Sequence, residues 1–198
     1  MDQQSAQGII NWLEENQKVF TAMSDQIWQT PEVAYQEFKS SRIQADYFEE
    51  QDFSVTWNVG GLNTAFVAEW GQGKPILGFI GEYDALPGLS QKLQPTKEAL
   101  EEGAPGHGCG HNLLGTGAVA SAVAVQKWLQ SSGKPGTVRY YGCPAEEKGS
   151  GKVFMARSGA FDDLDAALNF HPFYLNMAGK GSNVGVNAIY YRFFGRTA

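Results

Sequence analysis

The sequence predicts an α/β domain, a mostly parallel central sheet flanked by helices and left incomplete at its C-terminal end. Three observations carry this expectation. Short apolar runs that read as strands alternate with helical patterns, the order expected when helices cover the faces of a parallel sheet. Three of those runs end in groups able to do chemistry: Glu82 and Asp84 after 75–81, Glu146 and Glu147 after 137–142, and His171 after 166–170. A glycine-rich stretch, Gly106–Gly117, then sets His107, Cys109 and His111 just ahead of a long, small-residue apolar run.

Residues 5–28 place Ile9, Ile10, Leu13, Val19, Phe20, Met23 and Ile27 at helical spacing among charged and amide side chains, which predicts one amphipathic helix. Thr30-Pro31 ends it, because proline disfavours helix in the residue before it. A second helix is expected over 38–50 with Ile43, Tyr47 and Phe48 facing inward. Residues 53–57 alternate as a strand, with Gly60-Gly61 as a turn. Two apolar strands, 64–70 and 75–81, follow, and the Gly71–Lys74 link between them reads as a hairpin. The second is almost continuously apolar, as a strand buried on both faces would be.

Residues 85–110 read as mostly irregular, and a loop of that length is uncommon unless it is functional or disordered. Asn112 suits an N-cap, and Gly133 with Pro135 suits a stop, for a helix of about 20 residues. A strand over 137–142, a helix over 150–158 closing at Gly159, and a strand over 166–170 come next. A loosely alternating strand over 182–194 comes last. No turn or helix signal precedes Gly195–Ala198, so the chain reads as cut rather than finished.

At 198 residues the chain fits one domain, or one and a fraction. Its 42% hydrophobic and 13% aromatic content can supply a core. A net charge of −6 with no long run of lysine or arginine argues against a nucleic-acid or anionic-membrane surface. Two cysteines, Cys109 and Cys143, make no disulfide framework, and no signal-peptide pattern opens the chain, so the expected compartment is the cytoplasm. The longest apolar run, about 118–125, is far below the roughly 20 residues needed to span a bilayer.

In open α/β sheets ligands bind at the carboxyl ends of the strands, so the three polar strand ends and the Cys109/His111 loop can share one mouth. Thiolate, imidazole and carboxylate together are the ligand set of zinc or a similar divalent ion. Taken singly, each group has a plainer reading: Cys109 as a small buried side chain, Glu146-Glu147 as a solvated pair, His171 as a hydrogen-bonded strand end. Cys143 reads as structural, and His107 as a ligand or, by preference, a partner to a ligand or a loop residue. A cysteine nucleophile is the rival within enzymes, with Cys109 activated at a helix N-terminus and His111 or His171 as base. That rival leaves four carboxylates idle.

Four segments in order, Gly81–Pro87, Gly106–Leu114, Tyr141–Glu147 and Phe170–Pro172, together resemble the co-catalytic zinc or manganese amidohydrolases of the aminoacylase and glutamate-carboxypeptidase type. The resemblance covers essentially the whole chain. It implies a zinc-peptidase-like catalytic domain holding two divalent metal ions, zinc or manganese, with Cys109, His111, Glu147 and His171 as ligands, Glu146 as general base and Asp84 orienting the site. Glu82 departs from the pattern, since histidine commonly ligates a metal at that place. The implied reaction is hydrolysis of an N-acyl or N-aroyl amino acid, or of a dipeptide. The resemblance further implies that 1–187 is the first part of the catalytic domain and 188–198 the start of an inserted lid and dimerisation domain, through which the complete protein forms a homodimer or hetero-oligomer. The alternative is a short product that binds metal or a partner without catalysis.

Overall fold

The computed structural model describes residues 3–149, 151–175 and 191–195. Five helices, α1 (Gln3–Glu15), α2 (Gln17–Gln29), α3 (Phe38–Glu50), α4 (His111–Ser132) and α5 (Gly151–Arg157), accompany five strands, β1 (Ser54–Trp57), β2 (Phe66–Gln72), β3 (Ile76–Glu82), β4 (Gly136–Cys143) and β5 (Ala166–Leu168). The strands form one sheet in the order β1-β2-β4-β3-β5. β1 and β2, and β2 and β4, pair antiparallel, whereas β3 pairs parallel with both β4 and β5. Only β2 therefore runs against the others, and the sheet is mostly but not entirely parallel. No described helix is long and apolar enough to cross a membrane.

The sheet is a middle layer. Val138 and Tyr140 of β4 point into the larger core with Phe79, Phe66, Val119 and Val123, beneath α1 to α4. Tyr141 and Cys143, two residues apart in the pleat, point the other way toward Met155 of α5, Phe161 and Leu164. Each fully buried aliphatic side chain here contributes about 1.5–3 kcal/mol relative to exposure. Gly115, Ala118 and Ala122 make one side of α4 small enough to lie close on β3. A Cβ at Gly115 would stand 2.2 Å from the Glu82 carbonyl oxygen, so the approach requires glycine.

Three expectations are corrected. The amphipathic stretch is two helices, because Asn16 interrupts it: its Nδ2 donates to the Trp12 carbonyl at 2.8 Å and offers that turn an alternative to the helical ladder. The 64–70 and 75–81 strands do not form a hairpin; β4 lies between them. The link instead wraps the start of β4, where Thr137 donates its N–H to Pro75 O at 2.9 Å and its hydroxyl to Gly73 O at 2.8 Å. Asn112 is not the cap of α4. Gly110 holds that place in the left-handed region at φ 78, while Asn112 is buried and donates to Ser24 Oγ at 3.0 Å.

The expected irregular loop, the α3 boundaries and the Gly133 stop appear as read from sequence. The expected 182–194 strand and the 187/188 domain boundary lie outside the described residues, apart from 191–194, which are irregular and exposed. Because Gly115 sits under a backbone carbonyl, Gly115→Ala should destabilise the fold by about 1–3 kcal/mol. Gly8→Ala, on an exposed position of α1 with open space around it, should stabilise by up to about 1 kcal/mol. Urea melts compare them, and equal midpoints would contradict this packing.

Candidate metal centre

β3, β4 and β5 run in the same direction, so their carboxyl ends share one edge of the sheet, and the first turn of α4 is delivered to that edge by the Gly106–Gly110 loop. The loop's close approach depends on Gly110. Its positive φ suits glycine, and an added Cβ would come within 3.2 Å of Pro172, beside His171.

His111, fully buried, is the hub. Its Nδ1 lies 2.8 Å from Asp84 Oδ1 and 3.0 Å from the Asp84 carbonyl oxygen. Both partners are acceptors, so Nδ1 carries a proton, and Nε2 is the ring nitrogen left to ligate a cation at the mouth. Around Nε2 stand Glu82 Oε2 at 3.0 Å, Glu146 Oε2 at 3.8 Å and Glu147 Oε1 at 3.9 Å. Burial opposes charging His111, but the Asp84 hydrogen bond and the surrounding carboxylates outweigh it and raise its pKa. Asp84 Oδ2 meanwhile accepts the Glu147 N–H at 2.9 Å, so one buried carboxylate ties α4 to the turn after β4.

Cys109 Sγ lies 3.3 Å from His171 Nε2, and candidate ligand atoms of Cys109, His111 and His171 all fall within 4.8 Å of one another. Glu82, His111 and Glu146 form a second group within the same span. Three buried atoms of this cluster make no aligned hydrogen bond among the described residues: Glu147 Oε1, and His111 Nε2 and Glu82 Oε2, which stand 3.0 Å apart. Sulfur, imidazole and carboxylate donors converging on unsatisfied buried atoms fit a divalent cation, which would satisfy them together.

The Cys109 thiol has its pKa pushed up to about 12, first by burial and then by Glu147, Glu146 and Glu82. Nucleophile and metal ligand alike act as thiolate, so either role calls for a cation beside the sulfur. Glu146 is also raised, by burial and by the charge of Glu82, with Lys152 and His111 pulling the other way.

The structure thus brings together Asp84, Cys109, His111, Glu146, Glu147 and His171. His107 points elsewhere: its Nε2 is 3.1 Å from the Ile27 carbonyl oxygen, joining the loop to α2, and burial lowers its pKa to about 4. Cys143, the last residue of β4, is fully buried between the sheet and α5, as a structural residue would be. Lys152 of α5 is a member the sequence did not single out. It pairs with Oε1 of Glu82, so one oxygen of that carboxylate is held by an ammonium and the other faces His111. Nothing in a lone lysine seventy residues from Glu82 signals such a pair.

A mostly parallel α/β sheet with thiol, imidazole and carboxylate donors gathered at its strand ends defines a class of domain suited to holding cations. Residues 78–191 match the family described as Peptidase family M20/M25/M40, and the chain belongs to that family. Over 163 residues it is 54% identical to a subunit of the p-aminobenzoyl-glutamate hydrolase of Escherichia coli, covering 81% of this chain and 34% of that protein. Over 173 residues it is 36% identical to the Xaa-Arg dipeptidase of Homo sapiens, covering 79% of this chain and 36% of that one. The fold is similar to that of a dinuclear metal-binding M20 peptidase from Bacillus subtilis, with a TM-score of 0.65 at 24% identity over 80% of this chain and 43% of that one. The chain spans about a third of the length of these curated relatives.

Asp84→Ala would leave the Glu147 N–H without its carboxylate and His111 Nδ1 with only the residue-84 carbonyl oxygen, 3.0 Å away. It should cost about 1–3 kcal/mol for each donor that stays buried and unpaired, read as a lowered urea midpoint. An unchanged midpoint would contradict the tie between α4 and the β4 turn.

Proposed function

We propose that the complete protein is a metal-dependent amidohydrolase that cleaves the amide joining an acyl or aroyl group to an amino acid, p-aminobenzoyl-glutamate being the first substrate to test, with dipeptides as the neighbouring class. The single observation that carries this reading is the convergence of Cys109, His111 and His171 on one point at the strand ends, beside Glu146 and Glu147. The names of the two relatives, one a p-aminobenzoyl-glutamate hydrolase and the other a dipeptidase, supply the substrate classes.

In this reading Cys109, His111, His171 and Glu147 hold two divalent ions together with groups outside these residues, and the thiolate favours zinc over manganese. Bound there, the ions would supply Lewis-acid polarisation of the scissile carbonyl and make a water more acidic. Asp84 fixes the His111 tautomer so that Nε2 stays available. Glu146, half exposed in the mouth, takes a proton from the attacking water at its carboxylate and returns it to the nitrogen of the leaving amine. Glu82, held by Lys152, is assigned no ligand role. The same reading makes the working protein a cytoplasmic homodimer or hetero-oligomer assembled through a lid domain.

Glu146→Gln should abolish hydrolysis of p-aminobenzoyl-glutamate while leaving bound metal, measured by atomic emission, unchanged; retained turnover would remove Glu146 as base. Alkylation of Cys109 by iodoacetamide should accelerate after chelation, because a coordinated sulfur is protected. Equal rates with and without chelator would contradict Cys109 as a ligand.

A further inference from the structure

Glu37 belongs to none of the motifs above and is completely buried, a place where a carboxylate is costly unless its oxygens are well satisfied. It immediately precedes α3, yet its side chain makes no capping bond to that helix. Instead Oε1 accepts the backbone N–H of Tyr35 at 2.9 Å and of Ala145 at 2.8 Å, and Oε2 accepts the Thr64 hydroxyl at 2.9 Å. Every partner donates, the pattern suited to an ionised carboxylate. Burial raises the pKa of Glu37, and hydrogen bonds from its own backbone N–H and from Ala145, Thr64 and Tyr35 oppose the rise.

The contact with Ala145 is 108 residues away in sequence and falls at a particular place. Ala145 is buried and held at φ 56, ψ 39, a left-handed conformation that a residue with a side chain keeps only where its surroundings enforce it. The next residue is Glu146. On the far side of Glu146, the Glu147 N–H is held by Asp84 Oδ2 at 2.9 Å. The backbone on both sides of residue 146 is therefore fastened to a buried carboxylate, Glu37 before it and Asp84 after it.

We propose that Glu37 is a positioning residue for Glu146, holding the Ala145 turn so that the Glu146 carboxylate meets the attacking water, an inference that rests on the reading of Glu146 as base. Without Glu37 the buried Ala145 N–H has no carboxylate partner and the left-handed turn loses its tether. A displacement of roughly 1 Å at a reacting group can cost about 100-fold in rate. Glutamine can preserve all three contacts, its carbonyl accepting both N–H groups and its amide donating to the Thr64 hydroxyl. Aspartate keeps the charge but is one methylene too short to reach every partner.

The test measures kcat and KM for p-aminobenzoyl-glutamate, bound metal and melting temperature in the complete protein for Glu37→Ala, Glu37→Asp and Glu37→Gln, with Glu146→Gln in parallel. Glu37→Ala and Glu37→Asp should lower kcat about 100-fold, with KM within about threefold and metal content unchanged. Glu37→Gln should restore kcat to within about tenfold of the parent. If the alanine variant does not fold, the aspartate and glutamine pair decides. A folded Glu37→Asp with parental kcat, or a Glu37→Gln as impaired as Glu37→Asp, overturns the positioning role. Retained turnover in Glu146→Gln overturns the base assignment and this inference with it, a pattern distinct from either of those.

Discussion

Asp84 commits both carboxylate oxygens to the site, one to His111 Nδ1 at 2.8 Å and the other to the Glu147 N–H at 2.9 Å. Its own position is fixed because it follows β3 by two residues, at the end of a strand buried between β4 and β5. Through it the central sheet, the first turn of α4 and the turn after β4 become one rigid unit. The remaining donors are arranged around that unit. His111 offers Nε2 because Nδ1 is occupied, and Cys109, two residues earlier, is carried to the same point by the Gly110 turn.

Parallel strands explain why so many chemical groups reach one edge. β3, β4 and β5 end on the same side, so residues 82–84, 143–147 and 168–171 arrive together although they are far apart in the chain. The result is an excess of carboxylates, Glu82, Asp84, Glu146 and Glu147, around one imidazole. Crowded like charges are costly in a low-dielectric setting. The structure offsets part of this with the Lys152 ammonium on Glu82. A divalent cation at the unsatisfied Nε2 and carboxylate oxygens would offset the rest.

Much of this architecture was legible in sequence because its signals are local. The period of α3, the apolar run of β3, and the Gly133 stop of α4 depend on neighbouring residues only. Strand pairing is not local, and the place of β4 between β2 and β3 rests on ladders to strands more than sixty residues earlier in the chain. The helix break at Asn16 was hidden because the apolar spacing continues across it while one amide side chain bonds backward. At the site, residue types and their strand-end positions could be read, so Cys109, His111 and the carboxylates could be proposed as neighbours. Lys152 and Glu37 could not, since their importance lies in single contacts across 70 and 108 residues.

The proposed function turns on a cation held at this edge by Cys109 sulfur and histidine nitrogen. X-ray absorption at the zinc edge of the zinc-loaded complete protein tests it most directly. A sulfur scatterer at about 2.3 Å is expected together with nitrogen and oxygen at about 2.0–2.2 Å, with the sulfur contribution lost in Cys109→Ser. A first shell of nitrogen and oxygen alone in the parent protein would contradict it.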